Sequence, residues 1–316
     1  MKKPYFFWCQ GISVLCLFLF GGRPVSAESD LWMVDTTSVT GHGVLSEQFS
    51  KITFQYHDGT QWIVSDIESF ERTHRHDRPL VIVVPGYSNT RSDTIRIGMK
   101  ARNLCVSNES ILCRIVLWNW PSHQTSRRKL RDVRAKIPIA DTNGKYLGLL
   151  LQKLEPTAKV SILGCSFGSR IACSAIKYLD ENNDRKKRIS LVLTAPALDR
   201  NWFSPSAKYG RIPEYVEKLL LFYNPSDRVL RLYPLIYGLG SDREAMGKAG
   251  PLSCDFQPEH RPKIKPINMS TELGDRHHVE HYLDTRTLKE HVASHLLFHS
   301  DNNVQLVSIQ ENPQTP

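Results

Sequence analysis

Five short apolar runs, at residues 79–84, 113–118, 160–163, 189–193 and 218–223, constrain this chain more than any other feature of it. Each is followed within a few residues by proline, glycine or asparagine, which end regular structure. The first is apolar at every position, rather than at every second one, and the others repeat the pattern with one polar residue each; such a run suits a strand buried on both faces. Such burial is met in a parallel sheet covered by helices on both sides. The segments between the runs are helical in pattern: 91–105, 169–179, and 145–154 with leucines at 147, 149, 150, 151 and 154. A further strand is expected near 263–269, with helices near 229–237 and over 285–298. The alternation predicts an α/β fold on a mostly parallel, doubly wound sheet. Ahead of it, residues 52–56 and 61–64 flank Asp58-Gly59, which predicts an N-terminal β-hairpin. Segments 122–143 and 199–217 are longer than simple connections and are candidate cap insertions. With 316 residues, 41% of them hydrophobic, the chain can bury a core and is not disordered. It has no repeat that would make a solenoid, propeller or collagen.

Residues 1–27 stand apart. Lys2 and Lys3, an apolar stretch over 12–20 and the small-residue site Val25-Ser26-Ala27 form a cleavable leader. The stretch is too short for a membrane span, and Gly21-Gly22 breaks it. Cleavage before Glu28 is expected, giving an exported chain, periplasmic or secreted, with no stable transmembrane anchor. Its parts would be a β segment over 28–77 joining the sheet, a catalytic unit over 78–300 and a tail over 301–316.

Losing Lys2, Lys3 and Arg23 leaves 38 Lys and Arg against 32 Asp and Glu, and lowers the formal net charge from +9 to +6. The excess sits in two runs, one from Arg127 to Lys136 and one from Arg185 to Arg188. No nucleic-acid-binding motif accompanies them, so they are expected to be solvated surface and nucleic acid is not an expected partner. Oligomeric state cannot be read from the chain. Five cysteines remain, an odd number that leaves one unpaired in a monomer. Cys105 and Cys113, flanking a short polar loop, are expected to form a disulfide; Cys165 and Cys173 read as core residues.

The strongest motif is Gly164-Cys165-Ser166-Phe167-Gly168, directly between the run at 160–163 and the helix from Ser169. Gly-x-Ser-x-Gly between strand and helix is the nucleophile elbow. Its turn is so tight that larger side chains two residues either side of the serine would collide. The hydroxyl then stands above the sheet edge at a helix N-terminus, where developing negative charge is favoured.

A nucleophilic serine needs a base and a group to orient it, here in the chain order Ser, Asp or Glu, His. The acid should follow a later strand. Asp227 follows 218–223 directly, and Asp199, one strand earlier, is the competitor. The base should lie just beyond the last strand, where His277, His278 and His281 are all candidates. His291 and His295 lack the arrangement of a zinc protease and read as helix-surface residues, so no metal is expected. Two backbone N–H groups should form an oxyanion hole: that of Phe167, after the nucleophile, and that of Tyr87, which Gly86 lets turn in towards the site.

Together, Val-Pro-Gly-Tyr-Ser-Asn at 84–89, Trp-Asn-Trp-Pro-Ser at 118–122, the elbow, Thr-Ala-Pro-Ala-Leu-Asp at 194–199 and the segment around Asp227 resemble the alpha/beta-hydrolase superfamily. More narrowly they resemble a lipase-like bacterial branch without an assigned substrate, over residues 78–298. That branch carries an oxyanion donor in His-Gly-Tyr, a His-Ser-Met-Gly elbow and an acid in a Ser-x-x-Asp-x-Ala-Leu segment. The resemblance implies those roles for Tyr87, Ser166 and Asp227. Its base often stands in His-Ser-x-Tyr-Phe, a spacing matched by His278-Val279-Glu280-His281-Tyr282, which implies His278. Pro85 and Cys165 stand where the branch has histidines; neither would break bonds, but both are expected to line the pocket.

The reaction implied is hydrolysis of a carboxylic ester, small or lipid-like, through an acyl-enzyme, with no cofactor. Other acyl hydrolysis, as by a peptidase or thioesterase, and a non-catalytic binding protein on the same fold are the alternatives. A basic cap would favour acidic substrates, although charged runs ordinarily face solvent.

Overall fold

The apolar runs lie side by side in the fold. A computed structural model of the chain describes residues 30–298 except 40–42, 76, 107–111, 185–187, 239–240 and 253–255. The expected leader and tail, Cys254 and most of the second basic run lie outside the described residues. Nine strands form one sheet: β1 (Leu31–Asp35), β2 (Thr53–His57), β3 (Trp62–Ser65), β4 (Leu80–Val84), β5 (Arg114–Asn119), β6 (Lys159–Cys165), β7 (Arg188–Thr194), β8 (Lys218–Tyr223) and β9 (Ile264–Asn268). Their order is β3-β2-β1-β5-β4-β6-β7-β8-β9. Pairing is parallel from β1 through to β9, and β2 and β3 add the expected antiparallel hairpin beyond β1. The central strands are buried along nearly their whole length. In contrast, β9 is half-exposed and tolerates Pro266, as an edge strand can.

The helices are α1 (Leu45–Phe49), α2 (Ile67–Thr73), α3 (Arg91–Val106), α4 (Lys129–Lys153), α5 (Phe167–Glu181), α6 (Ile212–Tyr215), α7 (Pro234–Tyr237), α8 (Met246–Ala249), α9 (Ser270–Leu273), α10 (Val279–Asp284) and α11 (Arg286–His295). One layer is α4 packed on α5, where Gly144 and Gly148 let the axes approach: a Cβ at either would strike Ser174 or Tyr178. The other layer joins α3 with α10 and α11.

Three expectations change. Residues 122–143 are not a separate insertion, because from Lys129 onward they are the first half of α4. Pro138 removes one backbone donor there, which the packing of Ala140, Asn143 and Gly144 offsets. Cys105 and Cys113 are buried thiols that do not form the expected disulfide. The Cys105 thiol is hydrogen-bonded to Cys113 and buried, and both effects push its pKa well up. The helix expected near 229–237 is a 3₁₀ turn, Leu230–Leu232, followed by the single turn of α7.

The sheet also fixes where a ligand can sit. From β4 the chain crosses to β5 on one side, whereas from β6 it crosses to β7 on the other. The carboxyl ends of β4 and β6 are neighbours, Val84 opposite Gly164, and the loops leaving them diverge. In such sheets that divergence opens the ligand crevice.

Candidate active site

The elbow occupies that crevice. Ser166 has φ 51° and ψ −115°, a conformation disfavoured for a residue with a side chain. Neighbouring backbone holds it there: its N–H donates to the Thr194 carbonyl at 3.0 Å, and its carbonyl accepts from Ala197 at 3.2 Å. The glycines are sterically required. A Cβ at Gly164 would lie 2.8 Å from Ser169 Cα, and one at Gly168 would collide with the Val84 carbonyl oxygen.

Asp227 follows β8 in a turn shaped by Asn224. The Asn224 side-chain oxygen accepts from Ser226 N–H, and its amide group donates to the carbonyls of Gly274 and Arg276 at 2.8 and 3.3 Å. One buried asparagine therefore fixes both the aspartate turn and the loop that carries the histidines. Asp227 is 1% exposed. Its Oδ1 accepts from the Val229 and Leu230 amides, each at 2.8 Å, which aims Oδ2 at His277 Nδ1, 2.6 Å away. His277 Nε2 lies 3.1 Å from Ser166 Oγ. A carboxylate only accepts, so Nδ1 carries a proton and Nε2 is free to accept from the serine hydroxyl.

The histidine in this chain of hydrogen bonds is His277, not the expected His278. His278 is the residue capping α10, with an extended backbone (φ −65°, ψ 138°), and its ring faces those of His277 and His281. Partial burial and those two rings lower its pKa. Spacing alone did not separate two adjacent histidines; the loop pinned by Asn224 does. Asp199 is spoken for elsewhere: Oδ1 accepts from Tyr233 OH at 2.7 Å and Oδ2 from Arg243 at 2.8 Å.

The backbone at Gly86 and at the start of α5 borders the same serine. A Cβ at Gly86 would lie 3.0 Å from Ser166 Cβ, so the main chain entering Tyr87 passes directly over the serine. Phe167 is the first residue of α5 and its N–H has no intrahelical acceptor. The Tyr87 ring is tethered, its hydroxyl donating to Asp132 Oδ2 at 2.9 Å. Asp132 Oδ1 in turn accepts from the Thr125 and Ser126 amides at 3.0 and 2.7 Å. Nothing in the sequence patterning had singled out Asp132 or Asn224, because each acts through partners distant in the chain. Cys165 lines the site, and burial pushes its thiol up to about 12 against a lowering contact from Thr194. Pro85 does not line it; its carbonyl accepts from the Trp120 indole at 2.9 Å.

Above Ser166 and His277 opens a cavity of about 650 Å³. Its walls are the first turns of α4, including Leu130 and Val133, and the segment from Arg228 to Ile236. Arg134 ties the two walls, donating to the carbonyls of Leu235 and Ile236. Among the described residues no group of three or more His, Cys, Asp or Glu could hold a metal ion, and no helix is long and apolar enough to cross a membrane.

The sequence profile of one family, described as an alpha/beta hydrolase of unknown function (DUF900), matches residues 61–253. The match spans Tyr87, Ser166 and Asp227 and stops before His277. No curated protein matches the chain.

Proposed function

The chain belongs to that family of alpha/beta hydrolases, and from this premise we propose that it is an exported serine hydrolase that cleaves carboxylic esters through an acyl-enzyme. The observation that carries the reading is the continuous path from Asp227 Oδ2 through His277 to Ser166 Oγ, with steps of 2.6 and 3.1 Å. Ser166 Oγ attacks the ester carbonyl carbon while its proton passes to His277 Nε2. Asp227 holds the imidazole in the accepting tautomer and stabilises the imidazolium. The carbonyl oxygen becomes an oxyanion facing the Tyr87 and Phe167 N–H groups. As the tetrahedral intermediate collapses, the C–O bond to the alcohol breaks and His277 returns its proton to the leaving oxygen. Water, deprotonated by His277, then attacks the acyl carbon, the bond to Ser166 Oγ breaks, His277 returns the proton to Oγ, and the acid leaves. The export part of the proposal rests on the leader at 1–27.

The test is hydrolysis of 4-nitrophenyl esters of increasing chain length, with Ser166→Ala as control and a fluorophosphonate probe as a readout of the nucleophile. Turnover and labelling that both vanish in the variant support the proposal. Labelling of Ser166 without ester turnover would assign a different acyl substrate, a thioester or peptide. No labelling and no turnover would overturn the reading in favour of a non-catalytic fold.

A further inference from the structure

The cavity over Ser166 has a composition that goes beyond a general acyl site. Seven large apolar side chains among the described residues are markedly exposed, and three of them, Leu130, Val229 and Leu232, line this one cavity. Val133 and Ile236 continue the apolar surface inward. Exposed apolar groups gathered at a single opening mark a place where apolar ligand surface is buried.

Its charge is one-sided. Arg96, Lys129, Arg228 and Arg231 line the cavity against one carboxylate, Glu280. Arg96 is occupied by Asp93 and Glu280, and Arg228 by Asp275. Lys129 and Arg231 have no carboxylate partner among the described residues. They come from different walls, Lys129 at the first residue of α4 and Arg231 in the 3₁₀ turn after Asp227. Each also neighbours an exposed leucine in sequence, Leu130 and Leu232. Both cations are exposed at the mouth of the apolar cavity, and an uncharged substrate would leave neither of them a counterion. An anionic group there neutralises both.

Resting on the acyl-hydrolysis reading above, we infer that the substrate is an anionic amphiphile: an ester with an apolar chain and a phosphate or carboxylate group, the latter held between Lys129 and Arg231. The experiment uses the full-length protein and three probes: octyl phosphate, octanol and inorganic phosphate. Binding is measured by calorimetry and by inhibition of 4-nitrophenyl butyrate hydrolysis. Octyl phosphate binds more tightly than either other probe, and its preference over octanol weakens with added salt. In the double variant Lys129→Ala/Arg231→Ala that preference falls about tenfold, as two partly screened contacts allow. The charge-keeping pair Lys129→Arg/Arg231→Lys retains it. Equal affinity for octyl phosphate and octanol, equal affinity for inorganic phosphate, or an unchanged preference in the double variant would each overturn the assignment while ester hydrolysis stands. Loss of Ser166 labelling and of all turnover in the unmodified protein would instead overturn the acyl-hydrolysis reading, and this substrate class with it.

Discussion

Two turns leave neighbouring strands at the carboxyl edge of the sheet, one after β7 and one after β8, and each ends in a buried aspartate. Asp199 and Asp227 are 5% and 1% exposed, and both use both carboxylate oxygens. Their partners differ in kind. Asp199 meets a fixed cation, Arg243, and a phenol, Tyr233. Asp227 meets two backbone amides and an imidazole, and no fixed cation among the described residues. A carboxylate already neutralised by a guanidinium gains little from a second positive charge. One held only by amide dipoles gains a great deal when the imidazole beside it takes a proton. Between these two aspartates, burial and saturation of hydrogen bonds do not separate the proposed triad carboxylate from its neighbour; the kind of partner does.

The largest effect that tests this comparison is at the histidine that only the β8 turn reaches. Replacing His277 by Ala removes the proposed base, and kcat for a 4-nitrophenyl ester should fall by about 10⁶. His278→Ala should stay within about tenfold of the unmodified protein, since its ring packs towards His281. An equal loss in the two variants would mean that the adjacent rings exchange places. Next in size, Asp227→Asn should lower kcat by about 10⁴ by presenting the wrong imidazole tautomer, whereas Asp199→Asn should cost less than about tenfold. Comparable losses from the two asparagine variants would dissolve the distinction between the turns.

The same comparison explains what was legible beforehand. The two turns look alike in sequence: each is a strand, then a proline, then an aspartate within five residues of the strand's end. Following a later strand so directly was enough to favour Asp227. The partners that separate the two lie in segments remote in sequence, Arg243 for one and His277 for the other, and no local pattern encodes those meetings. The central strands were readable because burial on both faces selects nearly continuous apolar runs. β1 was not read as a separate strand, although Leu31 to Val34 is equally apolar, because its place between β2 and β5 is set by partners remote in the chain. Basic side chains near 127–136 hid the start of α4, a helix whose buried face lies mostly beyond Pro138. Asn224 and Asp132 carry no motif. Their roles arise from one buried amide and one carboxylate each touching loops far along the chain.

A smaller effect probes the structural turn directly. Tyr233→Phe removes the hydroxyl from Asp199 Oδ1 and leaves that oxygen buried without its donor. Losing a hydrogen bond to a buried charge costs roughly 1–3 kcal/mol. The thermal midpoint, followed by circular dichroism, should drop by several degrees. Because Tyr233 also lines the cavity, KM should rise before kcat changes. A fall in kcat with unchanged stability would tie Asp199 to the chemistry after all.

The smallest effect lies at a third carboxylate, Asp132, beneath the turn after β4 that presents Tyr87. Burial alone would raise its pKa, but hydrogen bonds from Thr125, Tyr87 and the loop amides outweigh that and hold it below its ordinary value. A carboxylate depressed in the folded state stabilises the fold above its unfolded pKa, about 4, and loses that contribution as pH falls through the folded value. The stability advantage of the unmodified protein over Asp132→Asn should therefore be constant between about pH 7 and 5 and shrink in more acid solution. Denaturant unfolding at a series of pH values measures it. A gap that persists undiminished at about pH 2 would mean that shape rather than charge secures Tyr87. Asp132 would then differ from Asp199 as well as from Asp227. A neutral amide would then hold the turn before Tyr87 as well as a carboxylate, and of the three aspartates only Asp227 would depend on ionisation for its role in the site.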